Sequence, residues 1–204
     1  MLALALSGAA ALSAQAQNRL TKTLLNPQIS SIHIDADLCY RIVLETDDSN
    51  EVSVEARMEG EYQKDLVVLF REEGKTLFIE PEFSPQFSLP NDKLGAHKVV
   101  SVSMKVRLPA YQNVQLTAST CEINATGAYR DIRIVFNDGS CRLAHLAENT
   151  TVQTGSAPIQ VDLDRGVVEA TSRYGQVILE PVPRGDHYLK LMSTRGDISV
   201  RRGL

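Results

Sequence analysis

The sequence predicts an all-β protein whose second half is a stack of β-solenoid turns. Three observations carry that prediction. Apolar and polar residues alternate in short runs over nearly the whole chain after position 30, which is the period of a half-buried strand. From about position 111 a unit of two such runs recurs every 16–21 residues. No stretch carries a convincing helical period, and Ala56–Lys64 has room for one short turn at most. At 204 residues, with 43% hydrophobic and 23% charged side chains, the chain is long enough to bury a real core.

The N-terminal segment reads as a leader. Leu2–Ser13 is almost wholly small and apolar, and Ala14-Gln15-Ala16 has the small-x-small form of a signal-peptidase site. Residues 1–16 are therefore assigned as a signal peptide, with the mature chain starting near Gln17, although no Lys or Arg precedes the run. The run is shorter than the ~20 residues that a membrane span needs. No later segment qualifies as a span, and no Cys stands at the cleavage point to take a lipid. The expected location is outside the cytoplasm, in the periplasm or at the cell surface.

Residues 17–110 form the N-terminal β-rich part. Ile32-His33-Ile34 alternates, as do Leu38, Tyr40, Ile42 and Leu44. Strands are then expected at Glu51–Ala56, Leu66–Phe70, Thr76–Ile79 and Val99–Leu108, separated by turn sequences such as Asp47-Asp48-Ser49-Asn50 and Glu73-Gly74-Lys75. Pro109 closes the last of these strands.

Residues 111–204 carry the repeat, continuous with the first part. With Cys121, Cys141, Ala157, Gly175 and Gly196 as zero points, the spacings are 20, 16, 18 and 21 residues. The positions seven and five before, and two and four after, each zero point hold apolar residues in eighteen of twenty cells. The 43% composition alone would give about nine. Each unit thus has two short strands with every second side chain inward and a corner of small or hydroxyl residues, such as Thr154-Gly155-Ser156. One unit cannot bury its apolar row alone, so stacking is implied, as turns of a β-solenoid or rungs of a wound double sheet. The expected core ladder is Ile123, Leu143, Ile159, Val177 and Ile198. The two polar inward cells are His145 and Thr150, with His145 expected as a hydrogen-bonded core residue.

Several residues suggest chemistry and have a simpler structural account. Arg-Gly-Asp occurs at Arg184–Asp186 and Arg195–Asp197, where it reads as turn chemistry rather than an adhesion tripeptide. Gly74-Lys75-Thr76 lacks the upstream Gly of a phosphate loop, because Leu69 stands there, and reads as a hairpin turn. Asp35 and Asp37 could pair as acids, but no acid or base cluster recurs in register through the later units, so they read as solvated turn charge. The three cysteines, Cys39, Cys121 and Cys141, form no disulfide framework and no zinc spacing. Cys121 and Cys141 take equivalent places in consecutive units, where stacked strands would set them about 4.8 Å apart; they read as small residues in the stack, with a bridge left open. No cofactor and no metal is expected.

The stretch from Pro81 to Lys98 differs in kind, with three Pro, two Phe and no strand pattern. Phe83, Pro85, Phe87 and Pro90 are the candidate partner contacts, unless the loop serves to cover one end of the stack. The net charge of −4 leaves no basic footprint for nucleic acid, and the absence of Trp argues against sugar- or base-stacking surfaces.

Three stretches together resemble a known family: Ser31-Ile32-His33-Ile34, the strand ending Arg107-Leu108-Pro109, and Val114-x-Leu116-x-Ala118-Ser119-Thr120-Cys121-x-Ile123. They are similar to the auto-transporter adhesins of the head GIN domain family and their β-strand-repeat relatives, exported proteins of Bacteroidetes type. The likeness runs from about Ile29 to Val200. It implies a right-handed single-stranded β-helix with a more antiparallel N-terminal part, and an adhesin-like role at the cell envelope. It supplies no functional residues. The corners here depart from the family's Ser-Gly-Ala, and the chain leaves no room for a membrane barrel.

The function expected is that of a non-enzymatic binding or structural module whose partner is a protein or an envelope component. Homo-oligomers through open coil edges are a further expectation, countered by the charges of Arg201 and Arg202. The alternatives are a glycan-active β-helix enzyme, which needs an acid cluster in a groove, and a periplasmic sensor or regulatory partner.

Overall fold

A computed structural model describes residues 17–59, 66–84, 101–144 and 148–203. Its strands form one all-β, fifteen-stranded network, and no helix occurs among the described residues. None is therefore long and apolar enough to cross a membrane.

In the N-terminal part lie β1 (Gln17–Leu24), β2 (Ser31–Asp35), β3 (Cys39–Asp47), β4 (Glu51–Glu59), β5 (Leu66–Glu73), β6 (Thr76–Phe83) and β7 (Ser101–Pro109). Three pairs here are antiparallel: β1 with β4, β4 with β7, and β5 with β6. Gly74, at φ 59°, makes the tight turn of the β5–β6 hairpin. From that base upward every pairing is parallel. β6 and β7 lie under β2 and β3, which lie under the two halves of β8 (Asn113–Thr126). Next comes β9 (Asp131–Ala144), paired with β8 along its full length. The remaining units are β10 (Asn149–Thr154) with β11 (Ile159–Leu163), β12 (Val167–Ser172) with β13 (Val177–Leu179), and β14 (Tyr188–Ser193) with β15 (Ile198–Arg202).

The inward side chains fall into four rows. Leu77, Ile32, Val114, Ile132, Thr150, Leu189 and Val168 stand successively opposite one another. Beside them run Ile79, Ile34, Leu116, Ile134, Val152, Leu191 and Ala170. Past the corner, Met104, Ile42, Ile123, Cys141, Ile159, Ile198 and Val177 make the third row. Val106, Leu44, Ala125, Leu143, Val161, Val200 and Leu179 make the fourth. Nearly all are fully buried, and each full side chain contributes about 1.5–3 kcal/mol of burial energy.

Four expectations need correction. The second unit sits two residues earlier than its expected phase. Cys121 faces Gly139, and Cys141 stands opposite Ile123, so the third row takes Cys141 where the expected ladder had Leu143, which lies one row over between Ala125 and Val161. The offsets become 18 from Ile123 to Cys141, 18 from Cys141 to Ile159, and 21 from Val177 to Ile198. A slip of two leaves every side chain on its own face, which is why the pattern concealed it. Second, the final unit does not stack last: β14 lies between β10 and β12, and β15 between β11 and β13. Third, a β-bulge at the start of β3 replaces the simple alternation, turning Cys39 and Ile42 inward and leaving Leu38 and Tyr40 exposed. Fourth, the strand β6 runs on through Pro81 to Phe83, pairing there with β5 beyond the last β2 contact at Ile79, a position where one edge has no ladder to interrupt among the described residues.

The corners turn on hydroxyls. Thr154 donates to the Ala157 carbonyl and pairs with the Ser193 hydroxyl, both at 2.9 Å. Ser193 accepts the Gly196 N–H at 2.8 Å, and Ser172 accepts the Gly175 N–H at 3.0 Å. Gly139 holds φ 111°, and a Cβ there would collide with the Cys121 carbonyl.

Two predictions come from the core. The Thr150 hydroxyl is fully buried among apolar rows and has no hydrogen-bond partner, so Thr150→Val should raise unfolding free energy by roughly 1–2 kcal/mol in urea denaturation. Gly139→Ala should lower it by roughly 2–4 kcal/mol in the same assay, since both the φ and the contact oppose a side chain.

Candidate interaction surface

The residues that first suggest chemistry are held in structural duties. Asp35 accepts the Asp37 N–H at 2.9 Å and Asp37 accepts the Ser119 hydroxyl at 2.9 Å, a turn and a strut to the next unit rather than an acid pair. Lys105 and Arg107 flank Glu45 and hold its carboxyl below the usual range, with Lys105 the larger influence. The Ser49 hydroxyl and N–H do the same for Asp47. A general acid needs its carboxyl raised, so neither suits that task. Asp197 of the second Arg-Gly-Asp accepts the Gln176 N–H at 2.7 Å and thereby tethers a neighbouring corner. Among the described residues no His, Cys, Asp and Glu cluster could hold a metal ion.

Phe83 ends β6 and packs, partly buried, against the core. Pro85, Phe87 and Pro90 lie outside the described residues, as do His145 and the leader at 1–16.

The outward face of β8, β9, β11 and β15 is polar. Asn124, Arg142, Gln160 and Ser199 stand side by side on successive strands, and Arg142 donates to Gln160 at 3.1 Å. On an adjoining strand Arg41 reaches one oxygen of Glu122 through two N–H groups, at 2.8 and 2.9 Å. A cleft of about 690 Å³ opens where β11 and β15 end, lined by Asp162, Asp164, His187, Arg201 and Arg202 among others. Its charges are mixed, so it concentrates neither anions nor cations.

The surface that departs from the logic of the fold is the end of the stack. β13 pairs with β15, and β12 with β14; among the described residues neither has a strand on its other side. In the third and fourth rows, Val177 is 38% exposed and Leu179 46%, whereas Ile159, Ile198, Val161 and Val200 are at most 1% exposed. Val167, Tyr174 and Ile178 add exposed apolar surface on the same unit. Of these, Val177 and Leu179 are core residues by pattern that no further layer covers among the described residues. The sequence pattern could not single them out, because their periodicity is that of interior residues; only the stacking order reveals the unit as terminal.

No family model matches the chain, and no curated protein matches it. Among solved structures the chain is similar to a "putative cell adhesion protein" from Clostridium sporogenes, with TM-score 0.63 at 12% identity over 91% of this chain and 100% of that one. It also matches, with TM-score 0.40 at 7% identity, a "putative adhesin" from Bacteroides fragilis over 91% of this chain and 97% of that one. A "putative lipid binding protein" from Parabacteroides distasonis gives 0.27 at 10% identity over 93% and 98%. The likeness to the Clostridium structure shows a shared fold across nearly all of the chain.

Proposed function

We propose that this chain is an exported, non-enzymatic binding module, a right-handed β-solenoid with adhesin-like duty at the cell envelope, which docks a protein partner on the open β12–β13 end. One observation carries the reading: core-patterned residues stand bare at that end while their row neighbours are sealed. An uncovered strand edge with apolar side chains beside it suits a partner that adds a strand, because backbone hydrogen bonds supply affinity and the side-chain rows supply register. Export rests on the leader-like residues 1–16. The envelope role draws support from a fold shared with a structure described as a "putative cell adhesion protein".

The test uses the doubly charged variant Val177→Lys with Leu179→Lys. Both residues are exposed in the folded chain, so stability should change by no more than about 0.5 kcal/mol each. Purified wild type is expected to sediment with isolated envelopes of the producing bacterium, and the variant to stay in solution. Equal sedimentation of both, or of neither, contradicts the proposal. A concentration-dependent dimer in gel filtration, lost in the variant, would reassign the end to a second copy of the chain.

A further inference from the structure

The bulge in β3 brings two thiols together that the spacing of the sequence keeps apart. Two contacts bracket the place. Below it, Asp37 accepts the Ser119 hydroxyl at 2.9 Å; above it, Arg41 binds Glu122 at 2.8 Å and stands opposite it in register. Between these contacts β8 supplies two residues, Thr120 and Cys121, whereas the facing chain supplies three, Leu38, Cys39 and Tyr40. The extra residue is the bulge, and of the five only Cys39 and Cys121 turn inward, each 1% exposed. Two inward residues facing each other on neighbouring strands have α-carbons about 5 Å apart, inside the span of a disulfide.

Cys141 is placed differently. It faces Ile123 and Ile159 rather than Cys121, which faces Gly139. One strand across and two residues along put its α-carbon about 8 Å from that of Cys121, beyond a disulfide's reach. All three cysteines are buried.

We propose that Cys39 and Cys121 are a cross-linking site, joined as a disulfide when the chain folds in contact with a disulfide donor, while Cys141 stays a thiol. A thiolate of Cys121 attacks one sulfur of the donor, giving a mixed disulfide and releasing the first donor thiolate. The Cys39 thiolate then attacks the Cys121 sulfur and releases the second. Two protein thiols lose two protons and two electrons, and the donor disulfide is reduced to two thiols.

The timing follows from burial. In the folded chain burial pushes the Cys121 thiol up to about 12, with Glu122 adding to the rise and the Ile42 backbone N–H opposing it. Cys39 is raised further, by burial first and then by Cys121 and Asp35. Buried neutral thiols exchange slowly, so the bond forms before the units close and is afterwards shielded from reductants. It closes a loop of about 80 residues, which removes much of the freedom of the unfolded chain.

The test is refolding of the full chain from denaturant in a buffer of oxidised and reduced glutathione, followed by alkylation and a non-reduced peptide map. The same map of protein exported by a disulfide-forming host serves as a second arm. The expected product joins Cys39 to Cys121 and carries an alkylated Cys141. Its Tm should stand roughly 10 °C above that of the reduced chain. Cys141→Ser should keep both the bond and the shift, and Cys39→Ser and Cys121→Ser should each lose them. Three alkylated thiols, glutathione adducts without a cross-link, or a bridge that contains Cys141 would each overturn the proposal.

Discussion

Everything in this molecule depends on register between parallel strands. A unit of some eighteen residues offers two short apolar rows and one bend, too little surface to offset the entropy of ordering its backbone. Only when Ile123, Cys141, Ile159 and Ile198 stand opposite one another does the surface close into an interior. The same constraint explains the corners. Units that approach at strand spacing leave no room for bulk at the bend, so Gly139 packs directly on the Cys121 backbone and hydroxyls of Thr154, Ser172 and Ser193 take up the loose backbone groups. It also explains why Thr150 is tolerated: its shape nearly matches a valine, and the row above and below holds it in place at the cost of one orphaned hydroxyl.

The two ends of such a stack pose one problem, an exposed ladder edge, and the chain answers it differently at each. At the base the direction reverses: β4 and β1 pair antiparallel beyond β7, and β5 folds back on β6 as a hairpin. At the other end the chain doubles back, slipping β14 and β15 beneath β12 and β13. That insertion buries β14 and β15 at interior depth and leaves an earlier unit outermost, with Val177 and Leu179 left uncovered at the end of the inward rows they continue. A fold that merely needed to end could have placed charge there, as the outward-facing Arg201 and Lys190 show it can elsewhere.

The all-β class, the strands of the second half and the inward rows were readable because each rests on alternation, which survives any even shift. The phase of the second unit was not, since moving Cys141 by two residues keeps it inward. The stacking order was not, since a parallel unit can join either side of its neighbour with the same apolar rows. Tyr40 looked like a core residue until the bulge moved that place to Cys39; an added residue changes backbone count without changing composition. β1 was also missed, because Asn18–Thr23 is mostly polar and gains its strand only from pairing with β4. The open end is the clearest such case: its residues have core chemistry, and their exposure is a fact of topology.

Native-state hydrogen exchange measures that topology strand by strand. Because β14 and β15 each lie between two strands while β12 and β13 have one neighbour apiece among the described residues, amides of Leu189, Leu191 and Val200 should exchange slowly and those of β12 and β13 much faster, against their order in the chain. Protection that instead falls steadily toward the C-terminus, with β14 and β15 the fastest to exchange, would contradict the stacking order and with it the uncovered end.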